Sequence, residues 1–435
     1  MLKNVGWKQN VFAQGVRIVR ISYFCNRKRI RFTFMRHKEL FLLIWMLLLV
    51  MSACKEEEEH LPPIPYSVLV SIDKTEEVTF NETIASLQEE YAISDEKVAP
   101  YKQTLNMAAL RSRVYRAYVI KYHTTDPNGH PVIASGVVYY PKSGKPRGVI
   151  EALSYNKNKF QYPSNQLRNM EVVQGMAGYV VLVSDQIGFG ATDSMVPPYF
   201  YHDNVAKVCA DLRQAATELV RNEYGRSMPT WTLISGFSLG ASGAWALARY
   251  YHQHPELGVH VSEVWLSGGA YQPVKVLQHQ LRTGQAEYAF IPNTIYAINQ
   301  YDSLEIDLHE VFSGELAEHY EEWCTGRVAL ADLSQRLGPD ISRYLNLDFF
   351  TESNASYQKL LASLERSTIP NDWIPDGNVH IYHGSADSYV PVSCSKELAA
   401  YLQSVGVNVD FVTTETDHWE NGVAMGSEMA KLLYK

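Results

Sequence analysis

Thr232-Leu233-Ile234-Ser235-Gly236-Phe237-Ser238-Leu239-Gly240-Ala241-Ser242-Gly243 is the stretch from which the rest of the chain can be read. An apolar run ends in Gly-x-Ser-x-Gly, and small residues suited to a helix follow. A serine on so sharp a strand-to-helix turn takes strained backbone angles, and Gly236 and Gly240 relieve the crowding around it. Ser238 also falls at a helix N-terminus, whose partial positive charge favours a developing oxyanion. The spacing marks Ser238 as a candidate nucleophile. A glycine-rich turn of this kind can also be purely structural, so the pattern needs partners.

A serine hydroxyl is a poor nucleophile until a base takes its proton. In the architecture that carries Gly-x-Ser-x-Gly on such a strand-to-helix turn, the triad runs in chain order serine, acid, histidine. Beyond the expected strand Val379–His383 a single histidine remains, His418, in Glu415-Thr416-Asp417-His418-Trp419. It falls between the last expected strand, Val407–Thr413, and a closing helix near Ala424–Leu433. The acid is expected in His383-Gly384-Ser385-Ala386-Asp387-Ser388-Tyr389-Val390-Pro391, where a strand ends in a tight loop. There Asp387 would hold the imidazole in its working tautomer. Asp410, inside the last strand, and Asp417, adjacent to the base, are the rivals.

Working outward, strand-like and helix-like segments alternate from about residue 116, which predicts a mostly parallel sheet with crossover helices. Arg116–Tyr122 and Val132–Tyr140 read as a hairpin about Asp126-Pro127-Asn128-Gly129. Val149–Leu153 and Tyr179–Ser184 read as strands buried on both faces. The spacing of Val205, Val208, Leu212, Ala215 and Leu219 predicts a helix over Asn204–Arg221. Trp231–Ser235, a helix Leu239–Tyr251 and a strand Val261–Leu266 follow. The alternation then stops: residues 271–370 carry helix-like stretches such as Leu304–Phe312 and Ser356–Leu364. A helical insertion between two strands predicts a cap over the sheet's C-terminal edge. Strand and helix resume with Val379–His383 and Cys394–Val405. The core is thus expected over 116–270 and 371–435, with 66–115 a polar, partly helical lead-in.

These residues together resemble the α/β-hydrolase superfamily, in particular its secreted lipase and esterase branch. The resemblance covers roughly residues 110–435. The hairpin segment Thr125–Val132 with Ser135-Gly136-Val137-Val138 resembles the branch's opening hairpin. Ser184-Asp185-Gln186-Ile187-Gly188-Phe189-Gly190 resembles its Pro-Asp-Tyr-x-Gly-x-Gly loop, with Gln186 in place of tyrosine. The resemblance implies an α/β-hydrolase fold, a doubly wound sheet with a helical cap. It also implies ester hydrolysis through an acyl-enzyme, with Ser238, Asp387 and His418 as the triad. The oxyanion hole would take one amide from Leu239 and another from the loop after the third strand. Members usually carry His-Gly in that loop, whereas this chain has Ser154, Tyr155 and Asn156 after Leu153. Two other readings share the scaffold. A prolyl-oligopeptidase-like peptidase has the same triad order but usually carries a large N-terminal propeller, for which the lead-in is too short. A non-catalytic surface-binding lipoprotein is supported only by the altered oxyanion loop.

Composition narrows the alternatives. The chain has 435 residues, 46% hydrophobic and 20% charged, with a net charge of -8. That balance argues against nucleic acid as a partner. No zinc spacing appears, and His252-x-His254 reads as solvated. There is no phosphate-cradling Gly-x-x-x-x-Gly-Lys loop. No cofactor or metal is expected; the expected partner is a small-molecule, glycan or lipid ester.

The front of the chain reads as an address. Arg36, His37 and Lys38 precede the apolar run Leu40–Met51, the layout of a signal peptide too short for a confident membrane span. Met51-Ser52-Ala53-Cys54 resembles a bacterial lipobox, which makes Cys54 the expected lipidation site; an uncleaved anchor helix is the alternative. Met35, directly before the basic stretch, is the expected true start. Lys55-Glu56-Glu57-Glu58-Glu59 resembles the acidic tag of surface-exported lipoproteins in Bacteroidetes-type bacteria, and reads equally as a solvated tether extended by Pro62, Pro63 and Pro65. The implied location is extracytoplasmic, held to a membrane by lipid alone. Without Cys25 and Cys54, three cysteines remain, Cys209, Cys324 and Cys394, which allow one bridge at most.

Overall fold

The computed structural model describes residues 22–25, 28–31, 60–90, 114–153, 158–286 and 289–434. The chain divides into two units, residues 1–60 and 61–435. In the first, Ser22–Cys25 (β1) and Lys28–Arg31 (β2) form a short antiparallel ribbon, which the sequence reading did not anticipate. The proposed signal segment and Cys54 lie outside the described residues. No helix among the described residues is long and apolar enough to cross a membrane.

The second unit is built on a nine-stranded sheet. Its strands in chain order are Leu69–Thr79 (β3), Val114–Thr125 (β4), Pro131–Pro141 (β5), Val149–Leu153 (β6), Val180–Ser184 (β7), Trp231–Phe237 (β8), His260–Ser267 (β9), Asn378–Gly384 (β10) and Val409–Thr414 (β11). Across the sheet they run β11-β10-β9-β8-β6-β7-β5-β4-β3. The six from β11 to β7 are parallel, and β5, β4 and β3 add on antiparallel. β6 and β7 are buried at every position, because their apolar residues face helices on both sides. Between β4 and β5 the carboxylate of Asp126 accepts from the amides of Asn128 and His130, each at 2.9 Å, and so closes the expected turn.

The lead-in differs from expectation. Part of it, Phe80–Glu90, is helical, but Leu69–Thr79 is an eleven-residue edge strand paired with β4. The chain ahead of it is laced to the long helix His202–Tyr224. Leu61 N–H donates to the carbonyl of Gly225, and Asn222 exchanges hydrogen bonds with both backbone groups of Ile64. The Glu218 carboxylate then accepts from the amides of Ser67, Val68 and Leu69.

Between β9 and β10, residues 271–370 carry no strand among those described. Their main helices are Pro273–Thr283, Phe290–Tyr301, Gly314–Trp323, Leu330–Leu337 and Ala355–Arg366. The expected helix Leu304–Phe312 shrinks to Leu308–Val311, because Ser303 and Glu305 take left-handed φ values of 49° and 56°. Cys209, Cys324 and Cys394 are all free and buried.

One ion pair lies deep in the core beneath β6. Glu151 meets Arg213 at 3.0 Å and accepts from the Tyr251 hydroxyl, while Arg213 also donates to Thr232 and to the carbonyl of Pro229. Burial pushes the Glu151 carboxyl up, against the pull of the Arg213 charge. Breaking a buried pair strands its partner. Arg213→Met is therefore expected to cost about 3–5 kcal/mol in urea unfolding. A loss under about 1 kcal/mol would show that the pair is not held dry.

Candidate active site

The sheet brings three chain-distant segments to one rim. In a parallel sheet, ligands gather at the carboxyl ends of the strands where the connections diverge to opposite sides. Here that point lies between β6 and β8, since β6 connects towards β7 and β8 towards β9. Ser238 follows β8 directly and Leu153 ends β6, paired with Gly236.

Ser238 has φ 57° and ψ −124°, the strained conformation that the sequence motif demands. Its amide donates to the carbonyl of Ser267 at 2.8 Å, which ties the turn to the end of β9. A Cβ at Gly236 would collide with the carbonyl of Gly240, so position 236 admits only glycine. The helix Leu239–Gln253 begins immediately after Ser238. First-turn amides have no intrahelical acceptor, so Leu239 can offer its N–H to an anion. Ser154, Tyr155 and Asn156, the other expected donors, lie outside the described residues.

Asp387 and His418 meet as expected: imidazole Nδ1 lies 2.6 Å from Asp387 Oδ2, with both side chains buried. The carboxylate fixes the proton on Nδ1 and leaves Nε2 free to act as a base. The ring rests against Phe237 and Tyr389, with centroids 4.7 and 5.0 Å away. Beneath it lies Gly268, with φ 59°, where a Cβ would come within 3.0 Å of the His418 ring. Gly268 directly follows β9 in the sequence, but its role as a seat for the imidazole could not be read there. His418 is the first residue of a helix running to Leu433, which starts earlier than the expected residue 424. Asp417 is its cap, accepting from the amide of Glu420 at 2.8 Å. Asp410 pairs instead with His380 at 2.9 Å. Both rival carboxylates are thus engaged elsewhere.

Asp387 is held by more than the base. Its Oδ1 accepts from the amides of Tyr389 and Val390, each at 2.9 Å. Its Oδ2 also lies 3.3 Å from Nε2 of His383, a fully buried residue that sequence reasoning treated only as a strand end. That Nε2 sits 3.0 Å from the Val390 carbonyl, and Nδ1 lies 2.7 Å from the Ser395 hydroxyl. With two oxygens facing Nε2, the proton belongs there, and Nδ1 accepts from Ser395. Its signal was present in the sequence: a histidine four residues before the acid, across a tight loop. Burial alone would raise the Asp387 carboxyl, but the hydrogen bonds from His383 and His418 outweigh it and hold it well below the usual carboxylate range.

Ser238 and His418 open onto one cavity, walled by Phe200, Leu239, Tyr389 and Trp419 and by Phe290 and Leu330 from the helical insertion. His252 and His254, by contrast, lie at the end of the helix Leu239–Gln253, where His254 pairs with Glu256.

The nine-stranded, mostly parallel sheet with helices on both faces is an α/β-hydrolase fold. The chain is similar in structure to a rice cell wall degrading esterase, LipA, from Xanthomonas oryzae, with TM-score 0.66, 19% identity and coverage of 84% of this chain and 96% of that one. It is also similar to lipase A from Candida antarctica in its closed state, with TM-score 0.58, 14% identity and coverage of 86% and 87%. At such identities the likeness is one of fold. No protein-family model matches the sequence, and no curated protein does.

Proposed function

We propose that this protein is a serine hydrolase that cleaves carboxylic esters through an acyl-enzyme. The observation that carries this reading is the buried 2.6 Å bond between Asp387 and His418, whose imidazole shares one cavity with a strained Ser238. In this scheme Ser238 Oγ attacks the carbonyl carbon while His418 Nε2 takes its proton, and the oxyanion meets the Leu239 amide and a donor from Ser154–Asn156. Collapse breaks the bond to the alcohol oxygen, which leaves with the proton from His418. Water then attacks the acyl carbon, gives a proton to His418 and releases the acid, and Ser238 recovers its proton. No cofactor takes part.

Similarity to an esterase and a lipase supports the reaction class. The basic, apolar and Cys54 pattern supports a lipid-anchored, extracytoplasmic protein. The test is covalent. A fluorophosphonate should label the protein once, with the added mass on the peptide carrying Ser238, and Ser238→Ala should remove the label. Persistent labelling of that variant would overturn the assignment.

A further inference from the structure

A second cavity borders Leu239 and Gly240, directly after the nucleophile. Leu153, Ile187, Phe189, Pro197 and Val205 supply its apolar walls, while Leu239 and Tyr199 border both cavities. The partition therefore includes the residue whose amide faces the oxyanion. Strain points the same way. Five non-glycine residues among those described have left-handed φ, and three of them belong here: Ser238 at the elbow, Phe200 on the first cavity and Gln186 on the second. Such backbone strain gathers where a ligand must be held.

The chemistry assigns an occupant to each side. His418 packs against Gly268 beyond β9, and Asp387 follows β10. The second cavity is built at the ends of β6 and β7, across β8 from the histidine. His418 must deliver a proton to the leaving oxygen, so the alcohol lies on its side, in the first cavity. The oxyanion takes the Leu239 amide. The acyl carbon is the one remaining substituent, and it is directed away from the imidazole, past Leu239.

Wall chemistry then names the class. Among the described lining residues of the first cavity there is no Asp, Glu, Asn, Gln, Lys or Arg to pair with sugar hydroxyls. In the second, the Asp185 carboxylate and the Gln186 side chain are already engaged, and the Gln161 carbonyl oxygen accepts from Asn158. Asp185 accepts from Ser135 and from both the amide and the hydroxyl of Ser164, and the Gln186 amide donates to Cys209. Resting on the hydrolase reading above, we propose that the second cavity binds an alkyl acyl chain and the first binds an apolar or aryl alcohol.

Val205→Trp fills the second cavity from its helix side, and Val205→Phe is a milder alternative should the tryptophan prevent folding. Both are measured against p-nitrophenyl acetate, butyrate and octanoate, and against acetates of ethyl, benzyl and naphthyl alcohols. The expected result is a fall of about tenfold or more in the octanoate-to-acetate ratio of kcat/KM, with the order of the alcohol series unchanged. Ala270→Trp, which obstructs the first cavity, should compress the alcohol series instead. An unmoved acyl profile in a folded, active variant overturns the assignment, as does faster turnover of acetylated sugars than of aryl acetates. A wild type inert to every ester and to fluorophosphonate would overturn the hydrolase reading, and this one with it.

Discussion

Ser238→Ala should lower kcat for p-nitrophenyl butyrate by about five to six orders of magnitude, with little change in KM or in the melting temperature. The size of the loss follows from how the residue is held. The strained φ of Ser238, the bond from its amide to Ser267 and the contact between Gly236 and Gly240 belong to the backbone, and alanine keeps them. Only the hydroxyl goes, and with it the covalent step. Water attacking with help from His418 and the oxyanion amides is the residual route, which accounts for activity above background. Steady-state kinetics decide the matter. A variant retaining more than about one per cent of kcat would show that the attacking group is elsewhere.

Asp387→Asn should cost about four orders of magnitude in kcat, and the structure explains why so small a change is so damaging. The side chain cannot choose its orientation freely. Two backbone amides, from Tyr389 and Val390, point at Oδ1, so an asparagine must place its carbonyl oxygen there. Its NH2 then takes the place of Oδ2, where it faces Nδ1 of His418 and the N–H of His383. Nδ1 becomes an acceptor, the proton moves to Nε2, and the base is blocked towards Ser238. The carboxylate has a second effect, on stability. Because its folded pKa is depressed, its contribution is fully present above the ordinary carboxylate pKa of about 4 and is lost as acid protonates it below that. The asparagine variant should therefore show a shallower loss of stability on acidification. Unchanged kcat, measured at pH 8, would mean that another group orients His418.

Most of this architecture was legible in the sequence because it is enforced by chemistry. Gly-x-Ser-x-Gly admits few backbones, and β6 and β7 are buried on both faces, so their apolar character has no competing reading. What escaped notice was set by packing. β3 carries Asp73, Lys74, Glu76 and Glu77 and reads as a solvated lead-in. As an edge strand it uses those charges outward, pairing Asp73 with Lys121 and Glu77 with Lys142, and such charges also discourage pairing with another chain. The helix Phe290–Tyr301 carries Pro292 in its first turn, where no intrahelical N–H is required, and so was not recognised. The last helix looked as if it began after Asn421-Gly422, yet Asp417 caps it ahead of those weak helix formers. His383 was hidden for a different reason. A histidine ending a strand says nothing of its ring until the loop folds back and sets Asp387 beside it.

The lacing of residues 61–69 along the long helix has a directional meaning. That helix crosses back from the rim bearing Ser238 to the start of β8, so Gly225, where Leu61 is fastened, belongs to the opposite end of the strands. Trp231 and Phe237 bound seven residues of β8, about 20 Å of extended chain between that end and the nucleophile. The chain therefore joins this unit behind the sheet, at the far end of the strands from the mouth of the cavity that holds Ser238.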